Sequence, residues 1–84
     1  MKYWMYIYKD KNSDLKTGIS STEYILKSGM LQSVQVVYLH PSEIPFDAIA
    51  HKHLLDTLSK KSVTDWIEKH REETKIWLKA LNLK

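Results

Sequence analysis

WMYIYKDKNSDLKTGIS, residues 4 to 20, begins with side chains that alternate as a strand does. Trp4, Tyr6 and Tyr8 take one face, while Met5 and Ile7, with Tyr3 before them, take the other. Both faces are bulky and largely apolar, which predicts a strand buried on both sides, at the centre of a sheet with helices above and below. Lys9 to Asp14, KDKNSD, is a cluster of turn formers whose Asn and Asp side chains can bond their own backbone. A second strand follows at Leu15 to Ile19, completing a hairpin. Gly18 within it marks either a strand irregularity or a place where another group, such as a ligand, approaches the backbone closely.

Outward from the hairpin, Ser20, Ser21 and Thr22 offer N-cap oxygens for a short helix over Glu23 to Lys27 that ends at Ser28 and Gly29, with Tyr24 and Ile25 toward the sheet. The β-branched run Ser33 to His40 predicts a third strand. Pro41 and Pro45 bracket a loop, and a helix starts near Pro45. Phe46, Ile49, Ala50, Leu54 and Leu58 recur at helical spacing, so the expected buried stripe is theirs, widened by Leu55. Ser62 to Asp65 resembles a capping box for a last helical stretch carrying Trp66, Ile67, Trp77, Leu78 and Leu81, with a break expected near His70 to Glu73. The fold class is therefore α+β: a small three-stranded antiparallel sheet flanked by helices, forming one domain over residues 1–84.

At 84 residues, a chain buries only about 60 to 65% of its unfolded surface, so aromatic mass matters: three Trp, five Tyr and one Phe serve one core without disulfides. The absence of cysteine, of a signal-peptide apolar core and of a membrane-length apolar run predicts a soluble cytoplasmic protein. Residues 1–50 carry five cations and five anions, whereas residues 51–84 carry eight cations and five anions, so the whole +3 excess lies in the second part. That bias suits DNA or another polyanion as partner. His51 and His53, two residues apart on a helix, point about 200° apart and cannot share one metal ion. The sequence contains no P-loop, nucleophile elbow, zinc knuckle or dinucleotide loop, and nothing in it asks for a cofactor.

The aromatic-Ile-aromatic strand, the turn and then LKTGIS resemble the opening of the GIY-YIG nuclease domain, whose second motif commonly reads Leu-Tyr-Thr-Gly-Ile-Thr. The run VVYLHPSEIPFDAIAHKHLLDTLSKKS is similar to the third strand and following helix of that family, and the closing helix with Trp77 fits its small single-domain members. The resemblance implies metal-assisted hydrolysis of a DNA phosphodiester by a Tyr, an Arg on the first helix and a Glu metal ligand on the second. Tyr6 matches the first tyrosine and Gly18 the glycine, but Lys16 stands at the second tyrosine and Ile25 near the arginine. Lys52 occupies the place of the metal-binding carboxylate, where an ammonium group repels Mg²⁺.

The reading is thus a GIY-YIG-like domain with a vestigial catalytic Tyr6, no metal site, and a nucleic-acid or anion surface made of Lys16, Gly18, Lys52, Lys60 and Lys61. By the resemblance, Lys16 and Lys52 would face one cleft. Two alternatives stay open: a protein-interaction or homo-oligomeric assembly module on the same fold, and an active endonuclease with rearranged ligands.

Overall fold

The computed structural model describes residues 2–83. Strand β1 (Tyr3–Lys9) is central, paired antiparallel with β2 (Leu15–Ser21) on one side and β3 (Gln35–Ser42) on the other, giving the order β2-β1-β3. Helix α1 (Thr22–Ser28) and a 3₁₀ turn (Met30–Gln32) lie between β2 and β3, and α2 (Pro45–Asp56), α3 (Lys60–Lys69) and α4 (Arg71–Ala80) follow.

The two-sided burial expected of β1 is present: Trp4, Met5, Tyr6 and Ile7 are all buried. Trp4 and Tyr6 pack with Ile25, Leu31, Leu39 and the tail residues Leu81 and Leu83. On the opposite face Met5, Ile7 and Tyr38 pack with Leu55 of α2 and with Val63, Trp66 and Ile67 of α3. Some polar atoms of the layers find partners nearby, whereas the indole nitrogens of Trp66 and Trp77 and Nε2 of His70 are buried without one. The Trp4 indole donates to Thr22 Oγ1 at 2.7 Å, and Asp10 Oδ1 closes the hairpin turn by accepting from the backbone N–H of Asn12 and of Asp14. α1 starts on the Ser21 side chain and stops at Gly29, whose φ of 65° is the left-handed conformation that glycine adopts without a Cβ penalty.

β3 begins and ends two residues later than its composition predicts, and Pro41 lies inside it. That position is tolerable because β3 is an edge strand, where a missing N–H need not leave a ladder bond unmade. The register between β1 and β3 shifts between Ile7 and Tyr8, leaving Val37 as the extra residue of a bulge. The exposed rim of β3 is covered by α4: Thr74 is buried and its hydroxyl accepts from the Leu39 N–H at 3.4 Å. The break at His70 serves this geometry, since Trp66 before it packs on one sheet face and Trp77 after it on the other.

Three expectations are corrected. α2 buries Ala48 and, of the expected stripe, Leu55, while Phe46 (73% exposed), Ile49 (55%) and Leu54 (53%) face outward, so the rest of that stripe is the outer face. The sheet accepts the side of α2 that carries the small Ala48, one turn from His51 and Lys52. Tyr24 is exposed while its neighbour Ile25 is buried, because a short helix lays one narrow stripe on the sheet. The N-cap of α3 is Ser59, accepting from the Ser62 N–H at 3.2 Å, which places Lys60 and Lys61 within the helix.

Candidate functional site

Tyr6 and Gly18 are direct cross-strand partners. A Cβ built on Gly18 would lie 2.6 Å from Cε1, Cζ and Oη of Tyr6, so the glycine exists to let this ring lie flat over β2. The strand pairing runs through Gly18 without interruption, and the group that approaches its backbone closely is the Tyr6 ring. Tyr6 is buried, with its hydroxyl 3.1 Å from Ser20 Oγ and donating to Met30 Sδ at 3.8 Å.

Tyr6 and the helix that carries Lys52 lie on different faces of the sheet. Tyr6 faces the layer formed with α1 and the C-terminal tail, and Lys16, opposite Tyr8 in the ladder, is exposed. Lys52 belongs to α2, whose buried Leu55 packs on the other face with Met5 and Ile7. Its Nζ is held by Asp56 Oδ2 at 2.7 Å, and Asp56 Oδ1 accepts from Thr17 Oγ1 at 2.8 Å, clamping β2 to α2. The Lys52 hydrogen bond, helped by that from Thr17, holds the Asp56 carboxyl below its ordinary value. The site position that resemblance assigned to Lys52 is therefore a structural ion pair.

What the fold does bring together is a different set of cations. Where the bulged end of the sheet meets α3 and α4, a groove of about 480 Å³ opens, lined by Lys9, Lys60, Arg71 and Lys75 with Glu68 as the one anion. Its floor is apolar, from Leu15, Val36, Val37, Ile67 and Leu78. Arg71 contacts Glu68 at 3.3 Å and Lys75 contacts Glu72 at 3.5 Å, both exposed pairs that solvent screens. Lys9 and Lys60 make no ion pair among the described residues. A second groove of about 410 Å³ between the hairpin and the α2–α3 turn shares Leu15 and Lys60 with the first and adds Lys16. Of the residues expected at a binding surface, Lys16 and Lys60 thus converge, Lys61 sits beside Lys60, and Gly18 and Lys52 stand apart.

The local electrostatics of α3 are unusual. Its first turn holds Lys60 and Lys61 and no acid, so two cations stand at the positive end of the helix dipole, where an anion would be stabilised. Lys9, Arg71 and Lys75 were not singled out from sequence. The signal was the spacing Thr64, Ile67, Glu68, Arg71, Thr74, Lys75, Leu78, one helical face that continues across the break at His70.

A second concentration of chemistry lies under α2 and α3. Tyr38 Oη is 2.9 Å from His51 Nε2, the His40 and His51 rings stack at 5.0 Å, and His70 sits edge-on to Trp66 at 4.3 Å. His40 Nδ1 is 3.9 Å from Glu73 Oε1. Burial, followed by the charges of His40 and His70, pushes the His51 imidazole below its ordinary range, and burial raises the Tyr38 phenol. Among the described residues no three His, Cys, Asp or Glu side chains are placed to hold one metal ion. These rings form a packed aromatic cluster around Tyr38.

The arrangement defines a small α+β domain with one sheet, two covered faces and a basic groove at one end. Among the described residues no helix is long and apolar enough to cross a membrane. Compared with protein-family models, with curated proteins and with solved structures, the chain matches none.

Proposed function

We propose that this domain binds the phosphate backbone of nucleic acid through the groove lined by Lys9, Lys60, Arg71 and Lys75, and that it does not cleave what it binds. The observation that carries the reading is the groove itself: four cations against one anion over an apolar floor, beside a helix start that lacks any acid. No aromatic side chain lines it, so it offers phosphate contacts without a stacking platform for unpaired bases, which favours a duplex over a single strand. The likeness to GIY-YIG domains supports descent from a nuclease, through the strand order around Tyr6 and the direct Tyr6–Gly18 pairing. Loss of cleavage is supported by Lys52, engaged with Asp56 and on the opposite sheet face from Tyr6.

Anisotropy titrations of labelled duplex and single-stranded oligonucleotides over a range of salt concentrations test this. Four phosphate contacts give a log–log slope of about −3.6 on duplex DNA. Lys9→Glu with Lys60→Glu should reduce that slope by roughly two contacts and leave the melting temperature nearly unchanged, because both residues lie on the surface. Absence of binding at low salt, or a slope untouched by the double variant, refutes the groove. Nicking of plasmid DNA in Mg²⁺ refutes the loss of cleavage.

A further inference from the structure

Four parts of the chain meet at Tyr38. β3 stacks His40 on it at 6.3 Å, α2 brings His51 Nε2 to 2.9 Å from the phenol oxygen, and α3 sets Trp66 edge-on at 6.2 Å. His70, at the break between α3 and α4, lies 5.9 Å away. Three of the four histidines of the chain are therefore on one face of the sheet, and the fourth, His53, is exposed on α2. The layer over Trp4 and Tyr6 has none. His51 is also the middle member of the line that α2 lays on the sheet, one turn after buried Ala48 and one turn before buried Leu55.

The Tyr38 phenol is 2% exposed, and its one hydrogen bond among the described residues is to His51 Nε2. Trp66 Nε1 is a donor only and is buried without a partner, so the acceptor for the Tyr38 O–H is a neutral His51. A proton on Nε2 turns that acceptor into a donor and strands the phenol hydrogen in a buried place. His70 Nε2 is buried and unpartnered as well, so a proton there meets no acceptor either. Charge acts in the same sense: the His40 and His51 rings are 5.0 Å apart and 18° from parallel, and two imidazolium ions so placed repel. The carboxylate that reaches the cluster is Glu73 of α4, 3.9 Å from His40 Nδ1. On α2 itself, Asp47 makes no ion pair among the described residues and Lys52 is bound to Asp56. One positive charge has a counter-ion here, on His40 beside Glu73. A second, on His51, has none.

We propose that Tyr38, His40, His51 and His70 form an acid-operated latch: on acidification a second proton enters the cluster, His51 leaves Tyr38, and α2 lifts from the sheet while the layer over Trp4 and Tyr6 stays closed. The rest of the hold on α2 is slight, since Ala48 and Leu55 are its buried residues. Its C-terminal end stays tethered to β2 by the Asp56–Thr17 bond, because the Lys52 hydrogen bond keeps the Asp56 carboxyl below its ordinary value and so ionised throughout the histidine range. Burial and the neighbouring imidazoles depress His51, so the closed form is complete above the ordinary value of about 6.5 and is lost as pH falls below it. The opening is local, unlike acid unfolding of the whole domain.

Amide hydrogen exchange read residue by residue at about pH 7.5 and about pH 5, with rates corrected for the intrinsic effect of pH, separates the two layers. Protection of the amides from Ala48 to Leu55 should fall by about tenfold or more at the lower pH, while the amides of the β1–β2 ladder keep theirs. His51→Gln offers Tyr38 an amide oxygen and cannot titrate, so α2 should stay protected at the lower pH. Glu73→Gln removes the counter-ion of His40 and should move the opening to higher pH. Glu73 is half exposed, so this variant is expected to fold even if His51→Gln does not, and the two shifts are opposite in sign, which general destabilisation does not produce. Equal protection of α2 at both pH values overturns the latch, as does a loss shared equally by the β1–β2 ladder, which would mean that acid unfolds the whole domain. Opening of His51→Gln at the same pH as wild type, or a shift of Glu73→Gln to lower pH, also overturns it.

Discussion

Gly18→Ala should destabilise this domain, although alanine is ordinarily the better strand residue. The added methyl would sit 2.6 Å from three atoms of the Tyr6 ring, about 1 Å inside the 3.5–4.0 Å at which carbon atoms rest. Tyr6 is 3% exposed and enclosed by Trp4, Ile25, Leu31 and Leu39, so the ring can escape only by displacing buried neighbours or by losing its contacts to Ser20 and Met30. Overpacking of this kind costs about 1–3 kcal/mol, while relief of glycine's backbone entropy returns about 0.5–1 kcal/mol. The net loss is about 1–2 kcal/mol, or a fall in Tm on the order of 5–15 °C for a domain of this size. Urea denaturation of wild type, Gly18→Ala, Tyr6→Leu and the double variant forms a cycle that isolates the clash. Leucine lacks the ring atoms that collide, so Gly18→Ala should be neutral or stabilising in the Tyr6→Leu background, with a coupling of at least 1 kcal/mol. Full stability of Gly18→Ala in the wild-type background refutes this account of the glycine. If nucleic-acid affinity falls in that variant while stability holds, Gly18 belongs to a ligand site after all.

Thr74→Val removes the hydroxyl that accepts the Leu39 N–H under α4 and should cost about 1 kcal/mol, the low end for an unsatisfied buried donor given the 3.4 Å contact, whereas Thr74→Ser should retain most of it. Equal stability of Thr74→Val and wild type would show that α4 covers the β3 edge without that bond. For His51, whose imidazole is depressed by burial and by His40 and His70, the unfolded chain takes up a proton that the folded protein resists. The stability contribution is therefore complete above the ordinary value of about 6.5 and is lost as pH falls below it toward the depressed folded value. Urea midpoints should decline through that window, and His51→Gln should flatten the decline. A midpoint that rises on acidification contradicts the assignment.

Much of the architecture was legible because its determinants are local. Alternation over residues 3–9 with bulk on both sides announced a central strand, KDKNSD a turn, Ser21 and Gly29 the two ends of α1, and the interruption near His70 the division of α3 from α4. These features depend on the backbone and on side chains a few residues away, and periodicity reads such information directly. Periodicity misled where two faces of one helix were both usable. α2 carries an apolar stripe on Phe46, Ile49 and Leu54 and another contact line on Ala48 and Leu55, and the larger stripe won on hydrophobicity alone. The sheet, already filled by Met5, Ile7 and Tyr38, accepts the line with the smaller residue and leaves the larger stripe outside.

The sequence by itself determined the strand, turn and helix order, the two-sided core and the basic bias of the second half, since each follows from residue type and short-range spacing. Only the tertiary structure decided which charges meet. Lys9, Lys60, Arg71 and Lys75 come from three separate elements, Lys52 is taken up by Asp56 while Lys16 stays exposed, and His40, His51 and His70 gather around Tyr38 from three parts of the chain. The physical reason is range: burial and register choose the face each element presents, and those choices are made by contacts across the sheet that no local pattern encodes.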